Sequence, residues 1–301
     1  MKVLETPTRD VLRLFMWYPL RWLICSLPVA KAITLLRFMG DMHYYSSRKK
    51  CSDLKKKINK LVPRIKDASF AVQTYFRNHY LDQLFILIFP NMKMGDINKF
   101  VEIEGLDNLE KCREQQNGVI LVHGHFGPAH LPLVVLGLLG YPMNQIGNPT
   151  DAGLSWIGKN VAYRLRMRYE SMMPAKIIKV NEFLRPIFRA LKKNELIMTA
   201  GDGSGTDDEF GQHHEYFFLG QIRRMPIGPA ILSVKTGSAL LPLFVLPGQK
   251  KMYRIIIGEQ LTAPPGAENR EIMITQKFLN KYENFVLRYP GYMHFLDRFS
   301  V

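Results

Sequence analysis

The chain has little cysteine, little acid and no long uncharged apolar run, and each shortage excludes something. Its three cysteines, Cys25, Cys51 and Cys112, show neither metal-site nor disulfide-framework spacing. They read as free thiols of a reducing compartment. Asp and Glu number 26 against 41 Lys and Arg, a formal net charge of +15. Such a surface seeks anions: nucleic acid, anionic lipid, or an acidic or phosphorylated partner. Zinc spacing and aromatic ribonucleoprotein motifs are lacking, so nucleic acid is not expected. Every apolar run is cut by charge before it could span a bilayer as a clean helix. A cleaved signal peptide fits poorly, because no small-residue cleavage site follows the N-terminal apolar region. Repeats and low-complexity linkers are absent as well, and the 301 residues, 47% of them hydrophobic, suffice for a substantial core.

What is present starts with residues 1–45, which read as a membrane-associating helical segment ahead of an α/β domain over 46–301. In "VLRLFMWYPLRWLICSLPVAKAITLLRFMG", Arg13, Arg21, Lys31 and Arg37 interrupt the apolar residues, and Pro19 and Pro28 break a continuous helix. This suits helices lying in an interface, with Trp17, Tyr18 and Trp22 at headgroup depth. The alternatives are a helix pair packed on the core or a dimer contact. The basic stretch after it, Lys49 to Lys66, suits attraction to an anionic membrane surface or forms a solvated helix face.

Further along, the hydrophobic period alternates. Residues 68–98 are helical; 100–105, 117–124 and 141–147 read as strands; 131–140 is an apolar helix. Residues 180–195 are helical, "LIMTAGDG" is a buried strand, and "MPIGPAILSVKTG" is a helix stopped at Gly237. "SALLPLFVL" and "MYRIIIGEQL" are strands before a last long helix. Strands alternating with helices imply an α/β fold with a mostly parallel central sheet flanked by helices. In such sheets functional groups gather at the carboxyl ends of the strands.

Two loops stand there. "LVHGHFGPAH" sets His123, His125 and His130 behind an apolar strand, with Gly124 and Gly127 leaving room for close substrate approach. A histidine there can take a proton from a hydroxyl at neutral pH. The alternative is a helix-capping or core histidine. Asp202, in "GDGSGTDDEFG", follows a second strand and either lines the site or belongs to a tight acidic loop. Arg164, Arg166, Arg168, Arg223 and Arg224 offer bidentate recognition of phosphate or carboxylate, or simply a solvated basic surface. A metal-dependent hydrolase built on His123, His125, His130, His213 and His214 is the rival chemistry, although Gly124 makes a shared strand face uncertain.

"EGLDNLEKCREQQNGVILVHGHFGPAHLP" resembles the lipid A late acyltransferases, the lauroyl- and myristoyl-transferring branch of the lysophospholipid acyltransferase superfamily. "ALKKNELIMTAGDGSG", "FFLGQIRRMPIGPAILSVKTGSALLPLFV" and "FVLRYPGYMHFLDRF" follow in the family's order, so the likeness covers roughly residues 10–300. The resemblance implies a membrane acyltransferase on the cytoplasmic face of the inner membrane. It moves an acyl group from acyl carrier protein or acyl-CoA to a hydroxyl or amine of a glycolipid-like acceptor, with no cofactor and no metal. His125 becomes the general base, backbone amides of the Gly-rich loop hold the oxyanion, and the arginines and Gly124 and Gly127 line the substrate site. The family motif is His-x4-acidic, but here the acidic position is His130. Three readings follow: His130 orients His125, a carboxylate such as Asp202 replaces it, or the chain binds lipid without transferring an acyl group.

Overall fold

The computed structural model describes residues 5–147, 149–179, 184–203, 211–297 and 299. The strands are β1 (Val101–Glu104), β2 (Val119–His123), β3 (Met143–Gly147), β4 (Ala175–Lys179), β5 (Leu196–Ala200), β6 (His213–Phe218), β7 (Gln221–Pro226), β8 (Ala239–Pro247) and β9 (Tyr253–Ile257). Seven form one sheet in the order β1-β9-β8-β2-β5-β3-β4. Strands β8, β2, β5, β3 and β4 run parallel; β9 returns antiparallel to β8, and β1 runs with β9. The expected α/β architecture with a mostly parallel sheet is the one observed.

The centre is parallel because β2 and β5 are apolar on both faces and need cover on both. Alternate residues of β2 feed two cores. Val119 and Leu121 pack with Leu133 and Leu136 of α8 (Leu131–Leu138), and with Ile33 and Leu36 of α3 (Val29–Ser46). Ile120 and Val122 pack with Leu54 and Ile58 of α4 (Arg48–Leu61), and with Phe278 and Tyr282 of α12 (Arg270–Arg288). The helix over Gly228–Thr236, α11, ends at Gly237, whose φ of +71° closes it as the sequence suggested.

The sequence reading did not contain β4 or the β6–β7 hairpin. β4 is a short Lys-bearing edge strand, and β7 reads "QIRRMP", with no apolar alternation to mark it. The first residues of the predicted 180–195 helix lie outside the described residues; the rest is α10 (Arg185–Lys192).

The N-terminal segment is helical: α1 (Pro7–Phe15), a π-helical turn over Met16–Leu20 that absorbs Pro19, and α2 (Arg21–Ser26). It buries Trp17, Leu20 and Ile24 in the same cluster as β2, so Trp17 is a core residue rather than a headgroup anchor. Its outer face leaves Val11, Leu12, Phe15, Tyr18 and Leu23 exposed, and Trp22 is 71% exposed. The Arg13 guanidinium reaches the Ser155 hydroxyl at 3.1 Å, which places Trp156, 74% exposed, beside this face. Among the described residues, no helix is long and apolar enough to cross a membrane.

Candidate active site

β2 and β5 are neighbours in register, with His123 opposite Ala200. Continuing that register by two residues sets His125 opposite Asp202. Gly201 N–H donates to the His123 carbonyl at 2.7 Å and ties the two strand ends together. The Asp202 carboxylate then receives three donors: His125 N–H at 2.7 Å, His125 Nδ1–H at 2.8 Å and the Tyr282 hydroxyl at 3.1 Å. An ionised carboxylate only accepts, so the proton of a neutral His125 sits on Nδ1 and leaves the Nε2 lone pair free. Burial alone pushes the His125 pKa down; the Asp202 charge and hydrogen bond outweigh it and hold it above the ordinary value. For Asp202 burial raises the pKa, and the charge and hydrogen bonds of His125 bring it below the ordinary value.

His130 does not touch His125. Its Nδ1 stands 3.7 Å from Oδ1 of Asp82, a residue of α5 (Ala68–Leu84). The Asp82 side chain is 15% exposed, and its Oδ1 is sealed from solvent without a hydrogen-bond partner among the described residues. Burial raises the Asp82 pKa, but nearby His294 and His130 more than offset it, so the carboxylate stays ionised. His294 Nδ1 lies 3.5 Å from Asp82 Oδ2. Its backbone N–H donates to the His125 carbonyl at 3.0 Å, and its Nε2–H donates to the Gly127 carbonyl. The C-terminal turn thus clamps the His125 loop. His123 is buried, donates Nδ1–H to the Gly124 carbonyl at 3.0 Å, and is held by burial at a pKa of about 4.

The two loop glycines serve packing. A Cβ on Gly124 would stand 2.5 Å from the Tyr282 ring; one on Gly127, whose φ is +61°, would stand 2.8 Å from the Tyr292 ring. An aromatic ring occupies the side of each glycine on which a Cβ would stand. Two of the loop amides expected to hold an oxyanion are committed: His125 N–H goes to Asp202, and Gly127 N–H to the Tyr292 carbonyl at 2.8 Å.

His125, His130, Asp82 and His294 line one cavity of about 470 Å³. Met167, Ile177, Met293 and Phe295 give it an apolar part. Of the arginines on α9 (Arg164–Glu170), Arg166 reaches the cavity and pairs with Glu170 at 2.7 Å; Arg164 and Arg168 are exposed and line no part of it. Arg223 and Arg224 sit on β7, away from the cavity, the Arg223 guanidinium lying 4.3 Å from the Phe299 ring centroid. The acidic loop after Gly203 lies outside the described residues. Among those described, no group of three His, Cys, Asp or Glu is placed to hold a metal ion. Sequence reasoning missed Tyr282 and Asp82, which the fold brings in from helices with no local signature, and did not single out His294, although it stands in the "FVLRYPGYMHFLDRF" stretch.

The family model described as bacterial lipid A biosynthesis acyltransferase matches residues 6–300. Two curated relatives are a lipid A biosynthesis palmitoleoyltransferase of Escherichia coli (strain K12) and a lipid A biosynthesis acyltransferase of Shigella flexneri. Each is 30% identical over 190 residues, 62% of this chain and 57% of the relative. The chain therefore aligns with little more than half the length of either one. With the family model matched from the first helix to the C-terminal turn that clamps His125, the chain belongs to the bacterial lipid A biosynthesis acyltransferase family.

Proposed function

We propose that this chain transfers an acyl group from an acyl thioester, on acyl carrier protein or coenzyme A, to a hydroxyl of a lipid A-type glycolipid. The observation that carries the reading is His125, oriented by Asp202 at 2.8 Å on the wall of a cavity, at the base position of the family motif. The acceptor hydroxyl gives its proton to His125 Nε2 as its oxygen attacks the thioester carbonyl carbon. The carbonyl π pair moves to oxygen. The tetrahedral intermediate collapses, the C–S bond breaks with its pair on sulfur, and the proton passes from Nε2 to the thiolate. The products are an ester and a free thiol. Asp202 steadies the imidazolium between the two proton transfers, as any base-orienting carboxylate does. An amine acceptor would follow the same path to an amide.

In this reading Asp202, not His130, supplies the negative charge that the motif's acidic position lacks. The exposed apolar face of α1 and α2 with Trp156 rests in the membrane interface, and the basic surface adds attraction to anionic lipid, so the protein sits peripherally on the cytoplasmic face.

The test is transfer of label from palmitoleoyl-carrier protein and palmitoleoyl-CoA into a glycolipid extract. His125→Ala is expected to lower kcat by about 10²–10⁴-fold, and His130→Ala by much less. Wild-type rates in His125→Ala would sink the mechanism. A wild type silent with both donors would leave a lipid-binding relative.

A further inference from the structure

A second concavity, of about 630 Å³, lies where α3 meets α4. Ser46, Ser47, Arg48, Lys49, Lys50 and Lys57 supply its polar wall, with Asp53 and Asp297 as its acids. Lys50 is spent on Asp297, at 3.0 Å, and Lys57 donates to the Asp297 carbonyl. Arg48 and Lys49 have no carboxylate partner among the described residues, and both are exposed. The Ser46 hydroxyl donates to the His43 carbonyl at 3.1 Å. The groove therefore presents uncompensated positive charge, together with the Ser47 hydroxyl, in a concave setting. That is a donor set for a phosphate.

Its position gives the phosphate an identity. Asp297 lines both this groove and the cavity of His125. The Phe295 ring lies 5.1 Å from the His125 ring, and the Cα atoms of residues 295 and 297 are at most about 7 Å apart. A ligand with its phosphate among Arg48 and Lys49 and a flexible arm crossing the Asp297 boundary would bring the far end of that arm to His125.

We propose that this groove binds the phosphate of a phosphopantetheine-type acyl thioester, the feature shared by acyl carrier protein and coenzyme A donors. This inference rests on the acyl-transfer reading. It assigns Arg48 and Lys49 to donor binding and gives this part of the basic segment a ligand other than the bilayer. The transfer chemistry is unchanged; the phosphate forms and breaks no covalent bond.

The experiment compares wild type with Arg48→Ala/Lys49→Ala. The substrates are palmitoleoyl-CoA, palmitoleoyl-carrier protein and palmitoleoyl-pantetheine, which lacks the phosphate. Lys55→Ala/Lys56→Ala, on the same helix with the same loss of charge but outside the groove, controls for the general field. The KM advantage of phosphorylated over phosphate-free thioester is expected to fall by about tenfold or more in the groove variant and by much less in the control. The coenzyme A and carrier-protein arms show which source the site serves. An unaltered KM ratio in the groove variant overturns the assignment and leaves the acyl-transfer reading standing. So does a variant whose only loss is binding to phosphatidylglycerol vesicles. Calorimetry with unacylated coenzyme A separates the two ideas. If wild type transfers no acyl group yet binds coenzyme A more tightly than the groove variant, the site stands and the reading falls. Absence of both binding and turnover overturns both.

Discussion

The His125 pKa lies above the ordinary histidine value because the charge and hydrogen bond of Asp202 outweigh burial. A general base works in its neutral form, so activity is lost as pH falls through that raised pKa. Asp202→Asn removes the charge and leaves the burial that pushes the pKa down. The acid limb of the pH–kcat profile is then expected to move to lower pH, while kcat at the plateau falls because the imidazolium loses its partner. A profile that keeps its acid limb while kcat drops would mean that Asp202 does not set the His125 pKa. His130 belongs to a different carboxylate, Asp82, at 3.7 Å. The histidine at the motif's acidic position therefore costs His125 no partner.

At the scale of elements, the site depends on α12 reaching under the ends of β2 and β5. Tyr282 is 1% exposed, stacks near Phe278 and Phe244, and sends its hydroxyl to Asp202. Gly124 lets the helix approach, because a Cβ would fall 2.5 Å from that ring. Gly124→Ala is expected to destabilise the fold by about 1–3 kcal/mol through overpacking and to lower kcat by displacing Asp202. Thermal unfolding and steady-state kinetics read the two effects. A variant with wild-type Tm would show that α12 yields without strain.

At the scale of the whole molecule, α2 ends just before α3 begins, whereas the basic groove lies at the other end of α3, where it meets α4. Helix α3 has 18 residues and is about 27 Å long. One end suits lipid and the other a phosphorylated donor. Trp22→Ser/Trp156→Ser is expected to weaken sedimentation with anionic vesicles several-fold, since exposed indoles favour the membrane–water interface, and to leave the Tm unchanged, since both side chains are exposed. Unchanged sedimentation would place the membrane contact elsewhere.

The sequence by itself determined the α/β class, because period-two and period-3.6 hydrophobic patterns alternate along the chain and strands buried on both faces read as continuous apolar runs. It also determined that His125 and Asp202 stand at strand ends, since each directly follows such a run beside a glycine. Only the tertiary structure decided that these two residues pair. Strand order is a property of the sheet, and β2 and β5 are adjacent although more than 70 residues separate His125 from Asp202. It likewise decided that Gly124 and Gly127 accommodate Tyr282 and Tyr292, and that Trp17 faces the core. Asp82 and Tyr282 left no local trace, because a side chain on a helix acquires its partner only when that helix docks.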